Sequence, residues 1–139
     1  MVVDDEPIIG KLLTMFLTEE NYEVTSFTRG KKALEHLKTN GAVSLLLTDV
    51  NMPEMSGIEL ARQVKTLYPT LPIIVMSGSA DGQTRDEIFS LGADFIPKPF
   101  GFTELIEKIN YIMPEKSGDT MNSGERRGGG TPLAGKEVM

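Results

Sequence analysis

Asp49 stands at the end of an apolar run, Leu45-Leu46-Leu47-Thr48, and is followed at once by Val50-Asn51-Met52-Pro53. A carboxylate at the tip of a buried strand is costly to keep unless a partner or ligand uses it. Asp4 and Asp5 end an earlier apolar run, Met1-Val2-Val3, and Lys98 ends a later one, Asp94 to Pro97. Three acids and one amine at three strand tips suggest a single site that holds a divalent cation and a phosphoryl group. Hard carboxylate oxygens suit Mg²⁺, which takes few protein ligands and keeps places for water and phosphate oxygens. Without a cation the three carboxylates would repel one another.

Each residue also has a plainer reading. Asp4-Asp5 fits a helix cap. Asp49 fits a turn-initiating aspartate before Asn51 and Pro53, and Ser77, in a Ser-Gly-Ser loop, fits a turn residue. Lys98 fits a solvated surface lysine. Against these, a carboxylate such as Asp49 is competent to form an acyl-phosphate. A hydroxyl at the tip of Ile73-Ile74-Val75-Met76 is placed to donate to a phosphoryl oxygen. Lys98 lies between Pro97 and Pro99 on a restricted backbone that can aim its ammonium at an anion.

The elements that must position these residues follow from periodicity. Ile9, Leu12, Leu13, Phe16 and Leu17 recur at helical spacing and define one inward face, with Pro7 in the first turn. Tyr22 to Phe27 alternates as a half-exposed strand. Gly30 to Lys38 reads as a helix with Ala33, Leu34 and Leu37 inward, and Ser44 to Thr48 as a strand core. Gly57 to Tyr68 is helical, Ile73 to Met76 a buried strand, and Thr84 to Leu91 a weaker helix closed by Gly92. Asp94 to Pro97 is a short strand. Phe102, Leu105, Ile106, Ile109 and Ile112 form a last amphipathic helix, ended by Pro114.

Five strand–helix repeats predict an α/β fold: a doubly wound, five-stranded parallel sheet. Ligands of such sheets bind beyond the carboxyl ends of the strands. Asp4, Asp5, Asp49, Ser77 and Lys98 all fall there. Only three residues precede Asp4, so the first strand is short, and a domain with so weak a strand should gain stability from bound Mg²⁺.

Composition narrows the functional class. The chain has 139 residues and a net charge of −6, enough for one domain. Residues 1–113 carry 16 acids and 10 bases, whereas 114–139 carry 4 of each. The ordered part is therefore acidic, which argues against direct nucleic-acid binding. With no cysteine, disulfides and thiolate metal sites are excluded. No apolar stretch is long enough for a membrane span and no signal peptide is evident, which makes the cytoplasm the expected location. Residues 114–139 hold six glycines and two prolines and read as a disordered tail or a linker, leaving 1–113 as the domain.

VVDDEP, TDVNMPEMSG, VMSGS and FIPKPF occur in this order on the expected strand tips. Together they resemble the receiver, or phosphoacceptor, domain of two-component response regulators, over residues 1 to about 113. The resemblance implies a flavodoxin-like strand order 2-1-3-4-5 and a phosphorelay switch charged by a sensor histidine kinase or phosphotransfer protein. Asp49 would be the phosphoacceptor. Asp5 would bind Mg²⁺ (or Mn²⁺ in its place) directly, Asp4 through water, and Asn51 through its backbone carbonyl. Ser77 and Lys98 would contact the phosphoryl group, with the Lys98–Pro99 bond cis. Phe95 falls on the family's switch aromatic, often tyrosine, and would fill space beside the fifth strand once Ser77 moves; plain core packing is the other reading of Phe95. Asn51 and Ser79 occupy positions that tune hydrolysis in the family.

The implied output is a change in the face formed by the fourth helix, fifth strand and fifth helix. It would be read by a downstream protein, an output domain or a phosphorylation-dependent dimer partner. No independent substrate turnover is expected. The alternative is a receiver-like module that is never phosphorylated and serves only protein interaction. A flavodoxin-like cofactor binder is disfavoured because Asp4-Asp5-Glu6 would repel its phosphate. An aspartyl phosphatase is disfavoured because Asn51 stands where its second aspartate would be. No Walker-type loop is present, and His36, the only histidine, reads as a surface residue.

Overall fold

Short apolar runs alternating with amphipathic stretches fold into a single sheet because each helix must bury its stripe against strands that are apolar on both faces. In the computed structural model, which describes residues 1–78 and 81–114, the strands are β1 (Val2–Val3), β2 (Ser26–Phe27), β3 (Leu46–Asp49), β4 (Ile73–Ser77) and β5 (Asp94–Pro97). The helices are α1 (Pro7–Glu19), α2 (Gly30–Asn40), α3 (Gly57–Leu67), α4 (Gly82–Ser90) and α5 (Phe102–Ile112). All strand pairs are parallel, in the order β2-β1-β3-β4-β5. This is the doubly wound arrangement expected from the sequence. Ser79 and the expected tail at 115–139 lie outside the described residues.

Side chains alternate across each strand and so divide the core in two. On one face Val3, Leu46, Ile73, Val75 and Phe95 pack with Leu37, Leu60, Val64 and Ile88 from α2, α3 and α4. On the other, Val2, Leu47, Ile74, Met76 and Ile96 pack with Leu13, Leu17, Leu105 and Ile109 from α1 and α5. Every residue of β3 and β4 is buried.

The helix ends carry clear signals. Ser56 caps α3 by accepting the Glu59 amide at 3.1 Å, and Asp81 caps α4 by accepting that of Thr84 at 2.8 Å. Gly92, at φ +80°, terminates α4. Its amide reaches the Phe89 carbonyl and that of Ala93 reaches Ile88, the paired bonds of a Schellman turn. Among the described residues no helix is long and apolar enough to cross a membrane.

Three expectations need correction. The second strand was expected over Tyr22 to Phe27, but β2 is only Ser26–Phe27, because its ladder partner β1 is two residues long; Glu23 forms only an isolated bridge. Leu12 is 47% exposed rather than inward. The buried stripe of α1 runs through Gly10, Leu13 and Leu17, and Leu12 lies about 100° around the helix from Leu13. His36 is half-buried rather than fully at the surface, with its ring against Phe27 at 5.3 Å and its nitrogens beside the Asn40 amide.

Candidate functional site

Strand register brings the chemistry together. Val3 pairs with Thr48 and Asp49 with Met76, while Ser77 pairs with Pro97. Asp4 therefore leaves β1 beside Asp49, and Lys98 leaves β5 just past Ser77. All four lie at the carboxyl edge, around the point where chain order reverses between β1 and β3.

Lys98 is the hub. Its ammonium lies 3.3 Å from Asp4 Oδ2 and 3.3 Å from Asp49 Oδ1. Asp4 is wholly buried, and its other oxygen accepts the Glu6 amide at 2.9 Å. That bond is an Asx turn rather than a helix cap, since Glu6 precedes α1 with no side-chain cap. Both Asp4 oxygens are thus paired, which is what permits a carboxylate at full burial. Asp5 is half-buried beside them. One carboxylate oxygen from each of Asp4, Asp5 and Asp49 lies within 4.8 Å of the others. Ser77 is buried at the end of β4 and Asn51 is exposed on the loop after β3. The Lys98–Pro99 peptide is cis.

Electrostatics follow from this crowding. Burial pushes the Asp49 carboxyl above its ordinary value; Lys98 pulls it down, but Asp4 and then Asp5 push it back up. Burial alone would lower the Lys98 ammonium, yet the charges of Asp4 and Asp49 and their hydrogen bonds outweigh it and hold the pKa above 10.5. The amine is therefore firmly cationic, and Asp49 is a carboxylate whose ionisation is only partly compensated.

Phe95 sits where its core-packing reading puts it. Its ring is 5% exposed and already packed inside, among Val75, Ile88 and Ala93. It has no hydroxyl to favour water, and the Arg85 guanidinium of α4 lies 5.5 Å from the ring centroid, covering it. Arg85 went unnoticed in the sequence because a cation over an aromatic ten residues away leaves no local pattern. Gly57 also went unnoticed. A Cβ there would lie 1.9 Å from the Asp49 carbonyl oxygen, so α3 begins directly against the backbone of the central acid.

A parallel sheet with three acids and a lysine converging at its carboxyl edge defines a class of phosphate-handling signalling domains. The chain belongs to the response regulator receiver domain family, whose profile matches residues 1–110. Transcriptional regulatory protein SrrA of Staphylococcus aureus (strain NCTC 8325 / PS 47) is 32% identical over 126 residues, covering 90% of this chain and 52% of SrrA. The chain thus spans about half the length of the curated relatives it matches. The CheY-like receiver domain protein of Methanospirillum hungatei JF-1 superposes with a TM-score of 0.77 at 30% identity, covering 82% of this chain and 91% of that one. The BeF3-activated DrrB receiver domain gives 0.73 at 27% identity, covering 81% and 94%. As a response regulator receiver domain, the chain takes part in phosphorylation-based, two-component signalling.

Proposed function

We propose that the chain is a Mg²⁺-dependent phosphoacceptor, charged on Asp49 by a sensor histidine kinase or phosphotransfer protein in the cytoplasm. The observation that carries this reading is the Lys98 ammonium, 3.3 Å from both Asp4 and Asp49 at the edge of a carboxylate trio. The donor set suits a hard divalent cation: Asp5 and Asp49 would hold it directly, Asp4 through water, and the Asn51 carbonyl would complete the protein's share. When bound, Mg²⁺ neutralises charge on the transferring phosphoryl oxygens. An Asp49 carboxylate oxygen attacks phosphorus, the phosphorus–nitrogen bond of the donor breaks, and its electron pair stays on the imidazole. Lys98 shifts its ammonium to a phosphoryl oxygen, and the Ser77 hydroxyl donates to another. Hydrolysis of the acyl-phosphate returns Asp49, so the domain resets itself without turning over an independent substrate.

Incubation with acetyl phosphate and Mg²⁺, followed by intact mass, tests the reading. Wild type is expected to gain one phosphoryl group and Asp49→Asn none. A wild type that stays unmodified, or a variant that is modified equally, would favour the pure interaction module instead.

The stability of the site gives a second expectation. Because the folded pKa of Asp49 is raised, its contribution to stability is fully present below the ordinary value of 3.8 and is lost as pH rises through the folded value. At pH 7 the ionised carboxylate opposes folding of the metal-free domain, so Asp49→Asn should raise the urea midpoint there. Mg²⁺ should reverse the order: at ten times its dissociation constant, wild type gains about 1.4 kcal/mol, and the variant, short of a ligand, gains less. A urea midpoint for Asn below wild type without metal, or unchanged by Mg²⁺ in both, would count against the site.

The output is read on α4, β5 and α5. α4 is held to the core by one buried side chain, Ile88, and Arg85 ties it to Phe95. With Phe95 already inward, the response is a shift of α4 over a fixed ring when Ser77 turns to the phosphoryl group, a population change between two packings. BeF3, the activator of the DrrB relative, is the probe: amide shifts should extend along α4 as well as around Asp49. Shifts confined to the acid cluster would refute this coupling. The downstream reader is a protein, an attached output domain or a second receiver paired across the same face.

A further inference from the structure

Glu54 holds a backbone conformation that its side chain disfavours. Its φ is +71°, in the left-handed region where a Cβ crowds the neighbouring carbonyl. Among the described residues only Asn21 shares that sign outside glycine, and asparagine tolerates it. The Met55 amide donates to the Pro53 carbonyl at 2.7 Å, so Glu54 is the middle residue of a γ-turn of the rare, positive-φ kind. Strain of this sort persists only where the surroundings enforce it, and it gathers at functional sites.

Two contacts enforce it, both from the start of α2. The Arg29 guanidinium pairs with the Glu54 carboxylate at 3.4 Å. The Met55 sulfur lies 3.3 Å from where a Cβ on Gly30 would stand, so the methionine fills the space that glycine leaves. At the base of the loop the Gly57 amide donates to the Val50 carbonyl at 2.8 Å. Residues 50–56 are thus fixed at base and tip. They follow Asp49 directly and include Asn51, whose carbonyl the proposed cation site uses.

We infer that Arg29 and Glu54 are positioning residues for the divalent cation: their ion pair holds the γ-turn and, with it, the Asn51 carbonyl. This deepens the reading above and rests on it, and it makes the start of α2 a place from which cation affinity is set. Charge alone predicts the opposite sign. Arg29 follows β2 and lies on the same edge of the sheet as the acids, so removing its charge would draw Mg²⁺ in more tightly. Losing a positioning contact weakens it.

An amide-resolved NMR titration of the full chain with MgCl₂ alone reads the affinity without phosphoryl transfer. Wild type should show saturable shifts around Asp49. Arg29→Gln should weaken Mg²⁺ about two- to fivefold, the range of an exposed ion pair, and Arg29→Lys, which keeps the charge, should recover most of the loss. Glycine adopts positive φ freely, so Glu54→Gly should hold or raise the metal-free urea midpoint while its Mg²⁺ affinity falls. Affinity unchanged or tighter in Arg29→Gln would overturn the inference and leave Asp49 as a cation ligand. A Glu54→Gly variant that loses stability and affinity together would reduce the pair to a structural contact and also overturn it. No saturable shift around Asp49 in wild type would remove the functional reading and this inference together.

Discussion

Gly57→Ala is expected to destabilise the domain by about 3 kcal/mol, the upper end of what overpacking costs. The new Cβ would sit 1.9 Å from the Asp49 carbonyl oxygen, 2.8 Å from its carbon and 3.0 Å from Val50 Cα. All three are backbone atoms at the end of the central strand β3, so no side chain can swing aside. Either α3 lifts away and loses the Gly57 amide bond to the Val50 carbonyl at 2.8 Å, or Asp49 is pushed out of register with Asp4 and Asp5. In the second case phosphoryl labelling should also fall about 100-fold, the scale of a misplacement near 1 Å at a reacting group. Gly82→Ala is the control. Nothing lies within 4 Å of a Cβ there, and alanine at a helical position gains up to about 1 kcal/mol over glycine. Urea denaturation of the two variants should therefore move in opposite directions. Equal shifts would show that glycine at 57 reflects local backbone preference and not contact with the acid.

Gly57 also marks where sequence reading stops. Strand–helix alternation and the placement of Asp4, Asp49 and Lys98 after apolar runs were legible, because strand tips in a parallel sheet share one edge. That edge position follows from chain direction alone and needs no knowledge of packing. Distances across the edge are different. Whether Lys98 meets Asp4, Asp49 or water depends on sheet twist and on Pro99, and neither is written in residue types. The α1 stripe shows the same boundary. Five apolar residues at helical spacing suggested one inward face, but the sheet under α1 accommodates only Gly10, Leu13 and Leu17 fully, and the surplus at Leu12 lines a groove instead. For Gly57 there was a weak signal: a glycine in the first turn of a helix already capped by Ser56. Helix propensity disfavours glycine there, so its presence asks for a spatial reason. For Phe95 the sequence offered a switch aromatic or plain core packing, and the ring's cover by Arg85, contributed by a different element, was not legible in either.

Lys98→Met should destabilise the domain by about 2 kcal/mol at pH 7, somewhat below the usual cost of breaking a buried ion pair because the lysine is not fully enclosed. Methionine keeps most of the apolar stem and removes the charge, so packing changes little. What remains is Asp4 at 0% exposure and Asp49 at 7%, facing each other without a cation. The sign with pH follows from the raised pKa of Lys98: its stabilisation is fully present below 10.5 and is lost as pH rises through the folded value. Wild type and variant should therefore differ by a constant amount from about pH 6 to 9, and the gap should close in acid as Asp49 takes up its proton. Labelling by acetyl phosphate should fall about 100-fold, the scale for losing one charged contact to a transferring group. The two losses are separable. Adding Asp4→Asn to Lys98→Met removes one of the stranded charges and should recover part of the stability, with a coupling that a double-mutant cycle reads directly. It should recover none of the labelling, because a neutral amide beside Asp49 puts no cation on the phosphoryl oxygen. If stability and labelling returned together, Lys98 would be acting only as a counter-ion to the resting carboxylates and not as a partner of the phosphoryl group.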